Sequence, residues 1–117
     1  MGSTDALPEA PSGVDDPVLA EIVRRLVDAF EPERIYLFGS LARGEAGPDS
    51  DYDLAVIVSD SAPEERRRSR LAYQALRGTG VAADVLVWSR QYFESRRHLV
   101  ASLPATVLRE GRLLYAD

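Results

Sequence analysis

The sequence predicts an α/β domain, more specifically an α+β arrangement in which a few strands are flanked by helices. Three observations predict this class. Apolar residues recur at helical spacing over 17–30, short apolar runs of strand length occur at 35–38, 54–58 and 81–88, and Gly or Pro residues separate these segments. The length of 117 residues suits one ordinary domain with a single core.

The first fifteen residues differ in composition from the remainder. They are acidic, rich in Pro, Gly and Ser and poor in apolar residues, so we expect 1–15 to be a disordered arm and 16–117 to be the folded domain. The arm lacks the basic and apolar regions of a secretory signal, and no apolar run approaches the roughly 20 residues that cross a bilayer. We therefore expect a cytoplasmic protein without a membrane span.

Composition excludes several classes of function. The chain has no cysteine, so disulfides and thiolate metal sites cannot contribute. Its fourteen basic residues are all arginine, which excludes a Walker-type phosphate lysine and Schiff-base chemistry. The net charge of −5 argues against a broad electrostatic footprint for nucleic acid, so a small molecule or a protein is the favoured substrate.

The first predicted element of the domain is an amphipathic helix. Asp16 is a typical N-cap, Pro17 suits the first helical position, and the helix is expected to end before Glu31 and Pro32. One face carries apolar residues at helical spacing, namely Leu19, Ile22, Val23, Leu26, Val27 and Phe30. We expect this face to pack against the sheet as scaffold.

Two strands and a loop are predicted next. An alternating apolar run ends at Phe38, Gly39 and Ser40 break it, and a second apolar run covers 54–58 after a Gly/Pro-rich connection. The second run is almost uninterrupted, which is typical of a strand covered on both faces.

The segment after this strand is predicted to be a helix that opens near Ser61 and ends at Gly78. Its expected inner face consists of Ser69, Ala72, Tyr73 and Leu76. The run 66–68 of three arginines is interpreted as a solvated face, and a docking surface for an acidic partner or for phosphates is the alternative.

The third predicted strand, 81–88, contains Asp84 among apolar neighbours. A carboxylate is costly to bury unless it is paired or coordinated, so Asp84 either joins other acidic groups or faces water from an edge strand. A helical stretch is then expected from Ser89 through Val100, with an interruption at Pro104, a shorter helix to residue 110 and a closing strand at 113–115.

The stretch 39–53 combines a phosphate cradle with a metal cradle. A strand that ends in Gly39 and Ser40 before a short helix presents amide groups and a hydroxyl to an anion. Asp51 and Asp53 lie two residues apart on a strand and can aim both carboxylates at one point. Mg²⁺ commonly takes one or two carboxylates and leaves its other positions to water and phosphate oxygens, so a nucleoside triphosphate is the natural partner.

These residues resemble a known family. Gly39 and Ser40, ten residues and then Asp51-Tyr52-Asp53 resemble the signature of the minimal nucleotidyltransferases of the DNA polymerase beta-like superfamily, antitoxin type. The fuller signature is also present, with Arg43 and Gly44 after the Gly-Ser pair and Ser50 before the first aspartate. The resemblance covers about 17–115.

The resemblance implies the nucleotidyltransferase fold, a small mixed β-sheet with flanking helices. It implies one or two magnesium ions and a set of catalytic and metal-binding residues, namely Asp51, Asp53 and Asp84. It also implies a set of nucleotide-binding residues, namely Gly39, Ser40, Arg43 and Ser50. Arg43 would neutralise phosphate charge, although an ordinary ion pair with Glu45 or Asp49 explains this residue almost as well.

The function that the resemblance implies is transfer of a nucleoside monophosphate, AMP from ATP, to a hydroxyl. Minimal members of this kind resemble antitoxins whose partner is a HEPN-type toxin, and the acceptor is then a tyrosine of that toxin. Two alternatives remain open at this point. The first alternative is a binding module that neutralises its partner by occlusion. The second is a transferase whose acceptor is a small molecule of the aminoglycoside type.

Overall fold

The computed structural model describes residues 16–39, 42 and 52–117 of the chain. Within these residues the elements are α1 (Pro17–Phe30), β1 (Arg34–Phe38), β2 (Tyr52–Val58), a 3-10 helix (Glu64–Arg67), α2 (Ser69–Ala75), β3 (Ala83–Ser89), α3 (Arg90–Arg96), α4 (Leu103–Glu110) and β4 (Arg112–Ala116). The predicted arm 1–15 lies outside the described residues. No helix in the described part combines the length and the apolar character that crossing a membrane requires.

The described strands form one mixed sheet in the order β3-β2-β1-β4. β1 is antiparallel to both of its neighbours, whereas β2 and β3 run parallel. Helices α1 and α2 cover one face, and α3 and α4 cover the other. This architecture confirms the predicted α+β class with a small mixed sheet.

Helix α1 begins and ends where the sequence predicts. The Asp16 carboxylate accepts hydrogen bonds from the backbone N–H groups of Val18 and Leu19, at 2.9 and 3.4 Å. The helix ends at Phe30, and its C-cap Glu31 adopts a left-handed conformation with φ of 48°. The buried side chains belong to the predicted apolar face and are Leu19, Ile22, Val23, Leu26 and Phe30.

Strand β2 lies at the centre of the molecule and contributes to both apolar layers. Residues 54–58 are at most 2% exposed, which confirms the predicted strand with two covered faces. Leu54, Val56 and Val58 pack in the layer with α1 and α2, whereas Ala55 and Ile57 pack in the layer with α3 and α4. The alternation along β2 therefore fixes which face each of its side chains takes.

The segment after β2 differs from the single helix that the sequence predicts. A 3-10 helix is separated from α2 by Arg68, whose backbone is extended, with φ of −108° and ψ of 135°. Residues 64–68 are all charged, so no apolar stripe holds a continuous helix against the core. Of the expected inner face, Ala72 and Leu76 are buried but Tyr73 is 56% exposed.

The run of three arginines is bound within the chain and forms a solvated surface. Arg66 pairs with Glu31, and Arg68 pairs with Glu64 at 2.6 Å. The Arg67 guanidinium donates to two backbone carbonyl oxygens of the preceding turn.

The bounds of the two C-terminal helices also differ from those that the sequence predicts. Helix α3 ends at Arg96 rather than at Val100, and Pro104 lies in the first turn of α4, behind the N-cap Ser102. Proline is favourable there because the first-turn N–H groups have no partner within the helix. The proline expected to interrupt a helix thus lies in the first turn of one.

Candidate active site

Three strands bring predicted site residues to one end of the sheet. β1 ends where the antiparallel β2 begins, and the parallel β3 begins beside β2. The register places Phe38 opposite Asp53, and Asp53 opposite Asp84. Gly39 follows Phe38 directly, so it lies at the same end of the sheet as both aspartates.

Asp53 and Asp84 occupy the same face of the sheet. Register partners on neighbouring strands point to one side of the sheet. Ala55 is two positions after Asp53 and therefore shares its face, and it packs in the layer with α3 and α4. Neighbouring strands lie about 4.8 Å apart, so the backbones of the two aspartates lie side by side. Asp84 is exposed on the edge strand β3, so it both faces water and lies next to a second acidic residue.

Gly39 lies in direct contact with Asp53. Its φ is +78°, a left-handed conformation that glycine adopts readily. A Cβ atom at this position would overlap Asp53 Oδ2 and would lie 3.1 Å from Asp53 Cγ. The sequence predicts a close backbone approach at this glycine, toward a ligand, whereas the approach seen among the described residues is toward the Asp53 carboxylate.

Tyr52 is a residue of this region to which the sequence assigns no role. Its hydroxyl donates to Asp16 Oδ2 at 2.6 Å, and its backbone N–H donates to the Ala82 carbonyl oxygen at 3.2 Å. Burial, together with this bond to Asp16, raises the pKa of Tyr52 to about 12. The same hydrogen bond lowers the pKa of Asp16. The two side chains are 36 positions apart, so local spacing cannot reveal their contact.

Four predicted site residues lie outside the described part of the chain. They are Ser40, Arg43, Ser50 and Asp51. The structure therefore bears on three members of the predicted set, and it brings Gly39, Asp53 and Asp84 together.

The chemistry of this donor set fits a divalent cation. Two carboxylates project from register partners on neighbouring strands, on the same face of the sheet. Mg²⁺ commonly takes one or two carboxylates while it keeps sites for phosphate oxygens. No group of three acidic, histidine or cysteine side chains that could hold a metal occurs among the described residues. The third predicted carboxylate, Asp51, is not among them.

A charged cavity of about 290 Å³ lies at the opposite end of the sheet. Its lining includes Glu33 and Arg34 from the start of β1 and Arg90 from the start of α3. Arg90 binds Glu33 through two hydrogen bonds, at 2.8 and 2.5 Å. Because this guanidinium is already engaged by a carboxylate and the aspartate pair lies at the other end, we do not assign the chemistry to this cavity.

The comparison with protein families gives a match over most of the chain. The family described as the nucleotidyltransferase domain matches residues 18–114. No protein of curated function matches the chain significantly.

Similar solved structures include toxin–antitoxin complexes. A toxin–antitoxin structure with AMP-PNP is 26% identical, with a TM-score of 0.58, over 83% of this chain and 72% of that chain. A mutant of the toxin–antitoxin MntA–HpeT is 22% identical, with a TM-score of 0.56, over 83% and 72% of the two chains. A tri-AMPylated HEPN toxin from Shewanella oneidensis in complex with an MNT antitoxin is 21% identical, with a TM-score of 0.52, over 86% and 71%.

The MntA–HpeT mutant and the AMPylated toxin complex are less than 25% identical to this chain, so they support the fold alone. The family match extends from α1 to β4 and includes the strand ends that carry Gly39, Asp53 and Asp84. It confirms the family that the signature resembles. The chain belongs to the nucleotidyltransferase domain family and is a nucleotidyltransferase.

Proposed function

We propose that this protein transfers AMP from ATP to a hydroxyl of a protein partner in a magnesium-dependent reaction, and that it acts in the cytoplasm as the antitoxin of a toxin–antitoxin pair. One observation carries the proposal. Asp53 and Asp84 are register partners at the end of the sheet, beside a glycine that contacts one of them, within a nucleotidyltransferase domain. We assign the activity to residues 16–117.

The proposed nucleotide-binding residues begin at Gly39, directly after β1. In our proposal, backbone amides at Gly39, the Ser40 hydroxyl and Ser50 bind the triphosphate. Arg43 neutralises charge that develops on the phosphates. Asp51, Asp53 and Asp84 would hold magnesium, which would neutralise phosphate charge and polarise the phosphoryl oxygens.

The reaction is an in-line displacement at the α-phosphorus. The acceptor oxygen forms a bond to the α-phosphorus while the bond to the pyrophosphate oxygen breaks, and pyrophosphate leaves. Asp84 accepts the proton of the acceptor hydroxyl, a role that suits its exposed position on the edge strand, where an acceptor can approach.

A protein acceptor is supported by the similarity to a toxin–antitoxin structure that contains AMP-PNP, at 26% identity. The resemblance of the signature 39–53 to the antitoxin type leads us to infer a tyrosine of a HEPN-type toxin as the acceptor. A phenolic hydroxyl ionises near pH 10, so a neighbouring carboxylate assists its attack.

The test is transfer of label from α-labelled ATP, with magnesium, to a purified HEPN-type toxin. We expect label on the toxin with the unaltered protein and its loss with Asp53→Asn and with Asp84→Asn. Asp28→Asn is the matched control, since Asp28 is an exposed carboxylate on α1 that pairs with Arg24. It should leave transfer unchanged.

Two results would overturn the proposal. Neutralisation of the toxin that survives Asp84→Asn without any label would favour a module that acts by occlusion. Label on an aminoglycoside with none on protein would favour a small-molecule transferase.

A further inference from the structure

The carboxylate of Asp16 joins the N-terminus of α1 to the start of β2. Its Oδ1 atom accepts from the N–H groups of Val18 and Leu19, which caps the helix. Its Oδ2 atom accepts the hydroxyl of Tyr52 at 2.6 Å. A hydrogen bond between a neutral hydroxyl and a charged carboxylate is short and stronger than one between neutral groups.

Tyr52 occupies a special place in β2. It is the first residue of the strand and directly precedes Asp53. Because side chains alternate along a strand, its ring lies on the face with α1, where it packs against the buried layer, and Asp53 lies on the other face. Whatever fixes the ring of Tyr52 therefore also fixes the backbone from which Asp53 projects.

The backbone of Tyr52 is tied to the third strand as well. Its N–H donates to the carbonyl oxygen of Ala82, just before β3 and two positions from Asp84. The start of β2 is thus held by α1 through a side chain and by the entry to β3 through the backbone. Strand ends open more readily than strand centres, so such contacts decide how well the end of β2 is ordered.

Contacts made by residues behind the ligands, such as those of Tyr52, have their largest effect where a metal ion is to be bound. A constellation of ligands must be kept within about 0.5 Å of its working geometry, and residues behind the ligands supply that order. Loss of an outer-shell partner typically weakens metal binding or activity by about 10- to 100-fold.

We propose that Tyr52 and Asp16 are positioning residues for the catalytic carboxylates, and we call their hydrogen-bonded pair the Tyr52–Asp16 brace. The brace fixes the start of β2 against α1, and it thereby orients Asp53, which directly follows Tyr52, for binding magnesium. This inference rests on the proposed function, because it concerns the metal of the same site. A contact that only stabilises the fold is the competing explanation.

The two members can be tested separately. Tyr52→Phe keeps the ring and removes the hydroxyl. Asp16→Ser keeps a good N-cap, as Ser102 does for α4, but its side chain is too short to cap the helix and also reach Tyr52. Tyr36→Phe is the matched control, since it removes the hydroxyl of another largely buried tyrosine, which accepts from Arg34 at 3.2 Å.

The measurement is Mn²⁺ binding, with and without ATP, followed by the electron paramagnetic resonance signal of free Mn²⁺, alongside the thermal unfolding midpoint. We expect Tyr52→Phe and Asp16→Ser each to raise the Mn²⁺ dissociation constant about 10-fold. The combined variant should show about the same 10-fold change, since both substitutions remove one interaction. Tyr36→Phe should lower the unfolding midpoint with Mn²⁺ binding unchanged.

The results separate the two proposals. If the unaltered protein binds Mn²⁺ and transfers AMP while Tyr52→Phe binds Mn²⁺ as tightly as Tyr36→Phe does, the brace is only structural and this inference is wrong. If the unaltered protein binds neither Mn²⁺ nor ATP, the proposed function is wrong and the brace loses its role with it.

Discussion

The backbone of Gly39 lies against the carboxylate of Asp53, so closely that a side-chain carbon at position 39 would take the place of Oδ2. The residue that follows β1 and the first acidic residue of β2 therefore pack directly against each other. A glycine at this position serves two purposes, because it adopts the left-handed conformation and leaves room for the carboxylate.

Gly39→Ala should impair both stability and the site. The left-handed backbone costs an alanine about 1–2 kcal/mol, and the overlap with Asp53 adds about 1–3 kcal/mol of overpacking unless the carboxylate moves. We expect a lower free energy of urea unfolding together with weaker Mn²⁺ binding.

Gly78→Ala is the matched control for this prediction. Gly78 also has a left-handed backbone, with φ of +87°, but a Cβ atom there would meet nothing within 4 Å. It should therefore show the backbone cost with normal Mn²⁺ binding. Equal effects of the two substitutions on Mn²⁺ binding would mean that the contact with Asp53 has no consequence for the site.

Gly111→Ala should destabilise the junction between α4 and β4 for a different reason. The backbone of Gly111 is extended, with φ of −86°, so conformation does not require glycine. An added Cβ would overlap the Val107 carbonyl oxygen and lie 2.8 Å from the Leu37 carbonyl oxygen. Two backbone atoms cannot yield as a flexible side chain does, so we expect about 1–3 kcal/mol less stability in urea unfolding. An unchanged unfolding curve would show that α4 moves away from β1 at little cost.

The sequence predicts which residues belong to the site better than it predicts which of them lie close together. The Gly-Ser bend and the pair Asp51 and Asp53 are matters of spacing within one segment, and spacing is visible in the chain. The proximity of Asp84 depends on which strand pairs with β2. The cost of burying a carboxylate left two positions open for Asp84, and the family resemblance favoured the one beside Asp53.

Two features escape the sequence for physical reasons. The bond between Tyr52 and Asp16 joins residues 36 positions apart, and an N-cap gives no sign that its second oxygen binds another element. The break at Arg68 arises because the charged residues before it find no apolar surface, although their helix propensities are high.

Phe93→Ala should cause a large loss of stability. Phe93 is 1% exposed and stacks on Tyr36 and Trp88, with ring centroids 5.7 and 6.1 Å apart. Removal of a buried phenyl ring typically costs about 3–5 kcal/mol, which we expect as a shift of the urea midpoint.

Tyr92→Ala is the comparison for this loss. Tyr92 also stacks on Trp88, at 5.8 Å, but its side chain is 40% exposed. Its removal should cost clearly less than the removal of Phe93. Similar losses would mean that α3 is held by its outer aromatic surface rather than by the buried layer.

The ion pairs of Glu21 with Arg24 and Arg25 should make the stability of the fold fall in acid. Hydrogen bonds from Arg24 and then Arg25 lower the pKa of Glu21 from 4.5 to about 2. Because the unfolded chain binds more protons in that range, the stabilisation is complete above the unfolded pKa and is lost as the pH falls toward the folded one. The difference in unfolding midpoint between the unaltered protein and Glu21→Gln should be constant above about pH 5 and should vanish near about pH 2. Added salt should reduce the difference in unfolding midpoint at neutral pH, because the ion pairs of Glu21 with Arg24 and Arg25 are largely exposed. A difference that stays constant from pH 6 to about pH 2 would show that the charge of Glu21 does not contribute to stability.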